Sequence, residues 1–346
     1  MLRLPVISSL CLLAACDSHD QFESFDRADL VSDQPGVATI VDPGLVNAWG
    51  IAVDGDNQVF IASNGTGQIS AFDAGLTIPP GFPLVVPGAA PITGLAFHTT
   101  GGFNITGNLG TAPAELITAT EDGRVFAFSP SAARAPILVL DLSATGAVFK
   151  GLTIVDTAGT PTLLLADFMN NAVVAVDTSF RVITPPAGTG AFRDPAVPAN
   201  WGPFGIQALG SRVYVTFAEH GEGKDEATGS GLGIVDAFSP DGQLVLHIAQ
   251  QPALDAPWGL ALAPVGFDDF SNDLIVGNFG DGAIHAFDPA SGTFLGTLED
   301  RGGNPIIIPG LWGLAFGHSS RDLFFAAGPG DEAHGLFGKL TPLATF

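Results

Sequence analysis

The stretch from residue 49 to 74, WGIAVDGDNQVFIASNGTGQISAFDA, is written again in shortened form as WGLAFGHSSRDLFFAAG from residue 312. Four degenerate copies lie between them: TGLAFHTTGGF with ELITATEDGRVFAFSP, KGLTIVDTAGTPTLLLADFMNNAVVAVD, FGIQALGSRVYVTFAEH with GLGIVDAFSPDGQLV, and WGLALAPVGFDDFSNDLIVGNFGDGAIHAFDPASGTFL. The anchoring glycines are Gly50, Gly94, Gly151, Gly205, Gly259 and Gly313, at intervals of 44, 57, 54, 54 and 54 residues. Self-similarity at this spacing marks a repeat architecture.

Each copy holds three short runs rich in Val, Ile, Leu, Phe and Ala, divided by Gly, Asn, Asp or Pro, which is how strands and hairpin turns are written. In the first copy these are GIAV, QVFIAS and GQISAFD, and a weaker run, PLVVP, precedes the next copy. Gly67, Gly123, Asn171 and Gly282 fall in register between the second and third runs, and they are residue types that accept positive φ at low cost. Four antiparallel strands repeated six times predict an all-β, six-bladed β-propeller. Stacked blades bury both faces of most strands, so their runs are continuously apolar.

A ring of blades must be closed, because an unjoined first and last blade would expose sheet edges. Copy six stops at TPLATF, whereas an unassigned apolar segment, ADLVSD at residues 28–33, precedes copy one. The expectation is that this N-terminal strand completes the sixth blade, making residues 28–346 a single domain.

The chain starts MLRLPVISSLCLLAAC, with one basic residue, an apolar stretch and then Leu13-Ala14-Ala15-Cys16. Such a stretch is too short to span a bilayer and reads as a secretory leader. It resembles a bacterial lipoprotein signal over residues 1–15, which implies lipidation at Cys16 and a tether over residues 16–27. The expected location is the cell envelope, with membrane contact through the lipid anchor alone. Removal of the leader also takes Cys11, so the mature chain keeps one cysteine and its stability rests on its core rather than on disulfides.

Twelve Lys and Arg against 35 Asp and Glu give a net charge of −23. Phosphate binding needs basic surface, so nucleic acid is excluded as a partner. Cations or cationic partners are attracted instead. The turns between second and third strands, together with the connections between blades, open on one face of a propeller. They bring Asn64, Glu121 with Asp122, Asp167 with Asn170, Asn278 with Asp281, and Asp331 with Glu332 and His334 to that face. Copy four expands its turn to AEHGEGKDEATGSG at residues 218–231, which adds Glu219, His220, Glu222, Asp225 and Glu226. Loops of that length in compact folds are often functional.

The residues just before the six glycines are Trp49, Thr93, Lys150, Phe204, Trp258 and Trp312. Trp49, Trp258, Trp312, Lys150, Glu219, His220 and Asp331 are therefore candidates for a ligand-binding face, since aromatic platforms with convergent polar groups make pockets. Trp at a repeated position also serves as a wedge of large apolar area. For a metal, the candidates are Asp167, Asn278, Asn64 and Glu121, whose oxygens suit Ca²⁺. No HExxH, CxxC, G-x-S-x-G or P-loop occurs.

The blade pattern, W/F-G-I/L-A, then an apolar second strand ending in A-D or G-N, then a third strand ending in A-F-D, is similar to NHL repeats and to gluconolactonase-like six-bladed propellers. The run LVSDQPGVATIVDPGLVNAWGIAV, with VYVTF and GSGLGIVDAFSPDG, resembles exported bacterial propeller proteins, some of which end in a PEP-CTERM sorting tail. The gluconolactonase-like resemblance implies a divalent cation and hydrolysis of lactones or organic esters, with Asp167 and Asn278 as the analogous ligands. The Asn that opens inner strands in those enzymes is replaced here by the ring of six residues just named, a departure from their pattern. Two functions are consistent with the residues: a monomeric envelope scaffold binding a small molecule, polysaccharide or protein on its acidic face, and a divalent-metal-dependent hydrolase or lyase.

Overall fold

In a computed structural model, residues 24–157, 159–183, 191–248, 251–318 and 321–343 are described; the leader, Cys16 and most of the expected tether lie outside them. Six antiparallel sheets surround a central channel, one for each sequence repeat. Blade 1 comprises Ala48–Val53, Val59–Ser63, Gln68–Phe72 and Leu84–Val85 from the channel outward. Blade 2 comprises Ile92–Phe97, Leu116–Thr120, Arg124–Phe128 and Ile137–Asp141, and blade 3 Phe149–Thr157, Thr160–Asp167, Ala172–Val176 and Val182–Ile183. Blade 4 is built from Trp201–Leu209, Arg212–Glu219, Ile234–Phe238 and Leu244–His247. Blade 5 follows with Pro257–Leu262, Leu274–Asn278, Ile284–Phe287 and Phe294–Thr297. Apart from two short 3-10 turns, the described elements are strands, and no described helix is long and apolar enough to cross a membrane.

Blade 6 is closed by the start of the chain, as the unassigned apolar segment suggested. Its strands Leu311–Phe316, Leu323–Ala327 and Leu336–Pro342 are joined by Phe25–Ser32, antiparallel from Phe25 opposite Pro342 to Ser32 opposite Leu336. This strand begins three residues earlier than the ADLVSD segment, because Phe25 has its own apolar site against Phe267 and Phe270. A two-residue strand, Ile40–Val41, adds in parallel at its outer edge. The long interval between the second and third glycines contains an extra hairpin, Asn104–Thr106 with Thr111–Pro113.

The burial pattern explains the composition. Second strands such as Val59–Ser63, Leu116–Thr120 and Leu274–Asn278 are buried at every position, whereas outer strands such as Phe294–Thr297 are half exposed. Apolar clusters fill each gap between neighbouring blades, from Phe60 with Leu95 and Phe126 between blades 1 and 2 to Ile61, Phe72 and Phe337 between blades 6 and 1. Another cluster, of aromatic rings, sits in the channel.

The repeated glycine is required by close approach rather than by an unusual φ. A Cβ on Gly50 would stand 2.6 Å from the Thr93 carbonyl oxygen, on Gly94 2.5 Å from the Leu152 nitrogen, and on Gly259 2.6 Å from the Trp312 carbonyl oxygen. Gly205 meets the Trp258 carbonyl and Gly313 the Trp49 carbonyl more closely still. Each inner strand thus lies against the backbone of the next, and the last of these contacts joins blade 6 to blade 1.

Candidate functional site

The inner strands run down from the face on which the second-to-third strand turns open, here the upper face. The ring of residues before the six glycines therefore stands at the upper mouth of the channel. Trp49 and Trp312 stack at 3.6 Å between ring centroids, and Trp258 meets each of them edge-on at 6.2 and 5.8 Å. Phe279 stacks on Trp312 at 4.1 Å, and Phe204 packs against it at 5.6 Å. Trp49 and Trp312 are buried, so their rings are a plug within the mouth and not an open platform; Trp258 is half-buried. Trp201 lies elsewhere, wedged in the cluster between blades 3 and 4.

Lys150 is the one cation in this ring, and its side chain is only 2% exposed. Its Nζ lies 5.2, 5.8 and 5.9 Å from the ring centroids of Trp49, Phe168 and Phe204, a cage in which ring quadrupoles attract the ammonium. It donates to Glu121 Oε1 at 2.8 Å and stands 3.3 Å from Glu226 Oε2. Burial works against the charged ammonium, but the carboxylates of Glu226 and Glu121 outweigh it and hold Lys150 above the ordinary lysine value. The Lys150 carbonyl accepts from Trp258 Nε1 at 2.9 Å, which ties the cage to the aromatic plug.

Around this ion pair the loops of four blades meet. Asn64 of blade 1 donates from Nδ2 to Glu121 Oε2 at 3.0 Å. The copy-four insertion folds back on itself: the Gly221 amide donates to the Asp225 carbonyl at 2.8 Å and the Ala227 amide to the Glu219 carbonyl at 2.8 Å. That turn places Glu226 over Lys150, and Lys224 reaches the Glu121 carbonyl of blade 2 at 3.4 Å. The insertion is an ordered strap across the mouth. Its base is held by His220, whose Nε2 lies 3.0 Å from the Phe168 carbonyl, and by Glu219, which accepts from Asn200 at 2.8 Å.

Two of the carboxylates here are shifted by this arrangement. Burial pushes Glu226 up, with Lys150 opposing. Glu332, from the blade 6 turn, is pushed up to about 7 by burial and by the charge of Glu226, while a hydrogen bond from Asn47 and the nearby Lys150 work the other way. Asn47, held at φ 50°, also accepts from Trp49 Nε1 at 2.8 Å. Asp331 beside Glu332 is exposed.

Of the four residues suggested as metal ligands, the structure brings together Asn64 and Glu121. Asp167 and Asn278 tie their own turns to the connections that precede their blades. Asp167 accepts from the Val148 amide at 3.1 Å and from Asn170 Nδ2 at 2.9 Å, and burial pushes its carboxyl up. Asn278 donates to the Ala253 carbonyl at 2.8 Å and to Asp281 at 3.0 Å, leaving its Oδ1 without a hydrogen-bond partner among the described residues. Ca²⁺ takes six to eight oxygens. One free amide oxygen at Asn278 does not make such a site, and where carboxylates and amides of several blades do converge an ammonium is already seated. These residues do not fit a resident divalent cation at the mouth.

Sequence reading placed Glu226 and Glu332 on this face but did not single them out, and it missed Asn47 as the partner of Trp49 and Phe168 and Phe204 as walls of the cage. The usable signal was the ring position itself, where one Lys stands among aromatics. On the lower face the channel is open, a cavity of about 330 Å³ walled by Ile51, Leu95, Leu152, Leu260 and Leu314 with Gln207 and His318.

No protein-family model matches the chain. Solved structures that resemble it include a streptogramin B lyase, with 13% identity, 93% of this chain and 98% of that one covered, and a TM-score of 0.53. A virginiamycin B lyase from Staphylococcus aureus, crystallised with quinupristin, covers 93% and 100% at 14% identity and a TM-score of 0.54. A gluconolactonase from Xanthomonas campestris covers 86% and 87% at 13% identity and a TM-score of 0.53. At such identities the likeness is one of fold, and the fold shared is the β-propeller. Sequence relatives are nearer. An uncharacterised protein of Acanthamoeba polyphaga mimivirus is 32% identical over 325 residues, 90% of this chain and 78% of its own. A second mimivirus protein, also uncharacterised, is 30% identical over 334 residues, 90% of this chain and 84% of its own. At that identity over 90% of its length, the chain belongs to the family of these mimivirus proteins.

Proposed function

We propose that the protein is a binding propeller whose upper face takes a cationic ligand, either a polyamine or a basic peptide segment, and that Cys16 tethers it to the cell envelope. The observation that carries this reading is the seating of Lys150. Glu121, Glu226 and the rings of Trp49, Phe168 and Phe204 form a receptor for an ammonium group, built from four blades and occupied by the protein's own side chain. Around the occupied cage stands a rim of half-exposed or exposed carboxylates, Asp122, Glu219, Glu222, Asp225, Asp331 and Glu332. Such a rim within a chain of net charge −23 draws cations and speeds their encounter.

Metal-dependent hydrolysis, the activity implied by the gluconolactonase-like resemblance of the blade pattern, is the weaker reading, because the convergent oxygens are spent on Lys150.

The test is titration calorimetry of the full chain with spermidine and with a trilysine peptide, using triglutamate as control. The cationic probes are expected to bind, more weakly as salt rises, and to lose affinity in Asp225→Asn/Asp331→Asn. Binding of triglutamate alone, or cation binding indifferent to the double substitution, overturns the proposal. For the tether, Cys16→Ser is expected to move the protein from the membrane to the soluble fraction, and an unchanged distribution refutes it.

A further inference from the structure

A second set of charged side chains lies on blade 4, away from the upper mouth. Asp236 is in the third strand and His247 ends the outer strand, directly opposite it in the register. Asp194 belongs to the segment that enters the blade. His247 Nδ1 stands 2.7 Å from Asp194 Oδ2 and 2.8 Å from Asp236 Oδ1, and one donor atom from each of the three residues lies within 4.8 Å of the others.

The arrangement is incomplete as a hydrogen-bond network. A ring nitrogen carries at most one hydrogen, and here two carboxylates aim at the same nitrogen. Asp194 Oδ2, on a side chain 5% exposed, and Asp236 Oδ2, on a side chain fully buried, have no hydrogen-bond partner among the described residues. Buried carboxylate oxygens in that condition are costly and call for a positive partner.

We propose that Asp194, Asp236 and His247 bind one first-row divalent cation, with Zn²⁺ the ion best suited to the donors. Two carboxylates balance the ion's charge, and an imidazole nitrogen favours Zn²⁺ over the oxygen-preferring Ca²⁺ and Mg²⁺. Bonds of about 2.0–2.2 Å set tetrahedral donors roughly 3.3 Å apart, so the three groups need to spread by about half an ångström to admit the ion. His247, 34% exposed, leaves a side open for entry and for a water ligand. The ion would clip the entering segment to the blade. That segment already packs there through Phe192, whose ring meets Phe238 at 5.6 Å and whose amide donates to the Gly242 carbonyl at 3.1 Å.

The experiment uses the full chain without a histidine tag, stripped with EDTA and dialysed against Zn²⁺ or Co²⁺. One equivalent of Zn²⁺ by atomic absorption and a visible Co²⁺ spectrum are expected. Asp194→Asn and His247→Gln, both on the outer edge and expected to fold, should each weaken Zn²⁺ by more than about tenfold and change the Co²⁺ bands. Folded wild-type protein that takes up no metal overturns the proposal, as does full retention of metal and an unchanged Co²⁺ spectrum in both variants. Asp236→Asn is the sharper substitution, but its burial makes the two edge variants the deciding ones.

Discussion

Replacing Lys150 by Met keeps the length of the side chain and removes its charge. What remains is Glu226, 5% exposed, and Glu121, 17% exposed, facing aromatic rings with no cation between them. Breaking a buried ion pair from one side costs about 3–5 kcal/mol, because the surviving charge is left without compensation. An ordered domain of roughly 320 residues unfolds with an entropy near 0.7 kcal/mol/K, so the melting midpoint should fall by about 4–7 °C. The deficit has a pH signature. A carboxyl whose folded value is raised contributes stability at pH below its unfolded value and loses it as pH climbs through the folded one. Glu226 is already raised by burial, and Lys150 is what opposes the rise. The deficit of Lys150→Met should therefore be large at pH 8 and shrink toward pH 5, since falling pH favours the protonated Glu226. Adding Glu226→Gln should recover part of the loss at pH 8, with a coupling of about 1–3 kcal/mol. Calorimetric melts of the four proteins at both pH values decide the matter. A single variant melting within about 1 °C of wild type at pH 8, or an equal deficit at both pH values, refutes the assignment of Lys150 as the counter-ion of the strap.

Glu332 has a folded value pushed up to about 7, so its stabilising share is present in acid and is lost as pH rises from about 4.5 through 7. Glu332→Gln should remove that slope, at most about 1.4 kcal/mol per pH unit for one proton, as read from urea midpoints between pH 4 and 8; a slope identical to wild type would show that Glu332 is ionised throughout. Alanine at the anchoring glycines should destabilise in the order of the contacts it makes. Gly205 and Gly313, pressed against carbonyl oxygens, are expected to be the most damaging, and Gly151, where the nearest atom is 3.1 Å away, the least. Melting midpoints that ignore this order would mean the ring relaxes freely around each strand.

The fold was legible because the repeat spells it out. The glycine column, the turn residues at Gly67, Gly123, Asn171 and Gly282, and the surplus strand at the N-terminus each carry local information that survives without a partner. The site was legible only in part. The ring of Trp49, Thr93, Lys150, Phe204, Trp258 and Trp312 is a column in the repeat and was read as one face, but whether a ring position is plug or platform depends on what its neighbours across the channel do. Asp167 and Asn278 looked like ligands because turn chemistry and metal chemistry use the same side chains. A carboxylate that accepts from the backbone and side-chain amides of one residue in its own turn has the same spelling as one aimed at an ion. Glu226 was seen in the strap but not chosen, since an insertion stands outside the repeat register that would have positioned it. Asp194, Asp236 and His247 are brought together by strand pairing and a returning connection, with no spacing in the sequence to announce them.

Lys150 also bears on how far propeller likeness reaches into chemistry. An exchangeable divalent ion at a channel mouth polarises a bound carbonyl because it has open coordination positions. An ammonium on a four-carbon stem has three hydrogens and no open position; here Glu121 takes one hydrogen, Glu226 lies alongside, and aromatic faces occupy the rest of its surroundings. It can hold carboxylates in place but cannot act as a Lewis acid toward a ligand. The strap residue Glu226 and the turn residue Glu121 are thus oriented from within, and the outer acids Asp225, Asp331 and Glu332 are left to meet whatever arrives from solvent. A propeller built in this way has a negative rim around an internal ammonium. That internal ammonium, seated among carboxylates and rings where an open metal position would otherwise stand, is the arrangement from which we propose recognition of cations.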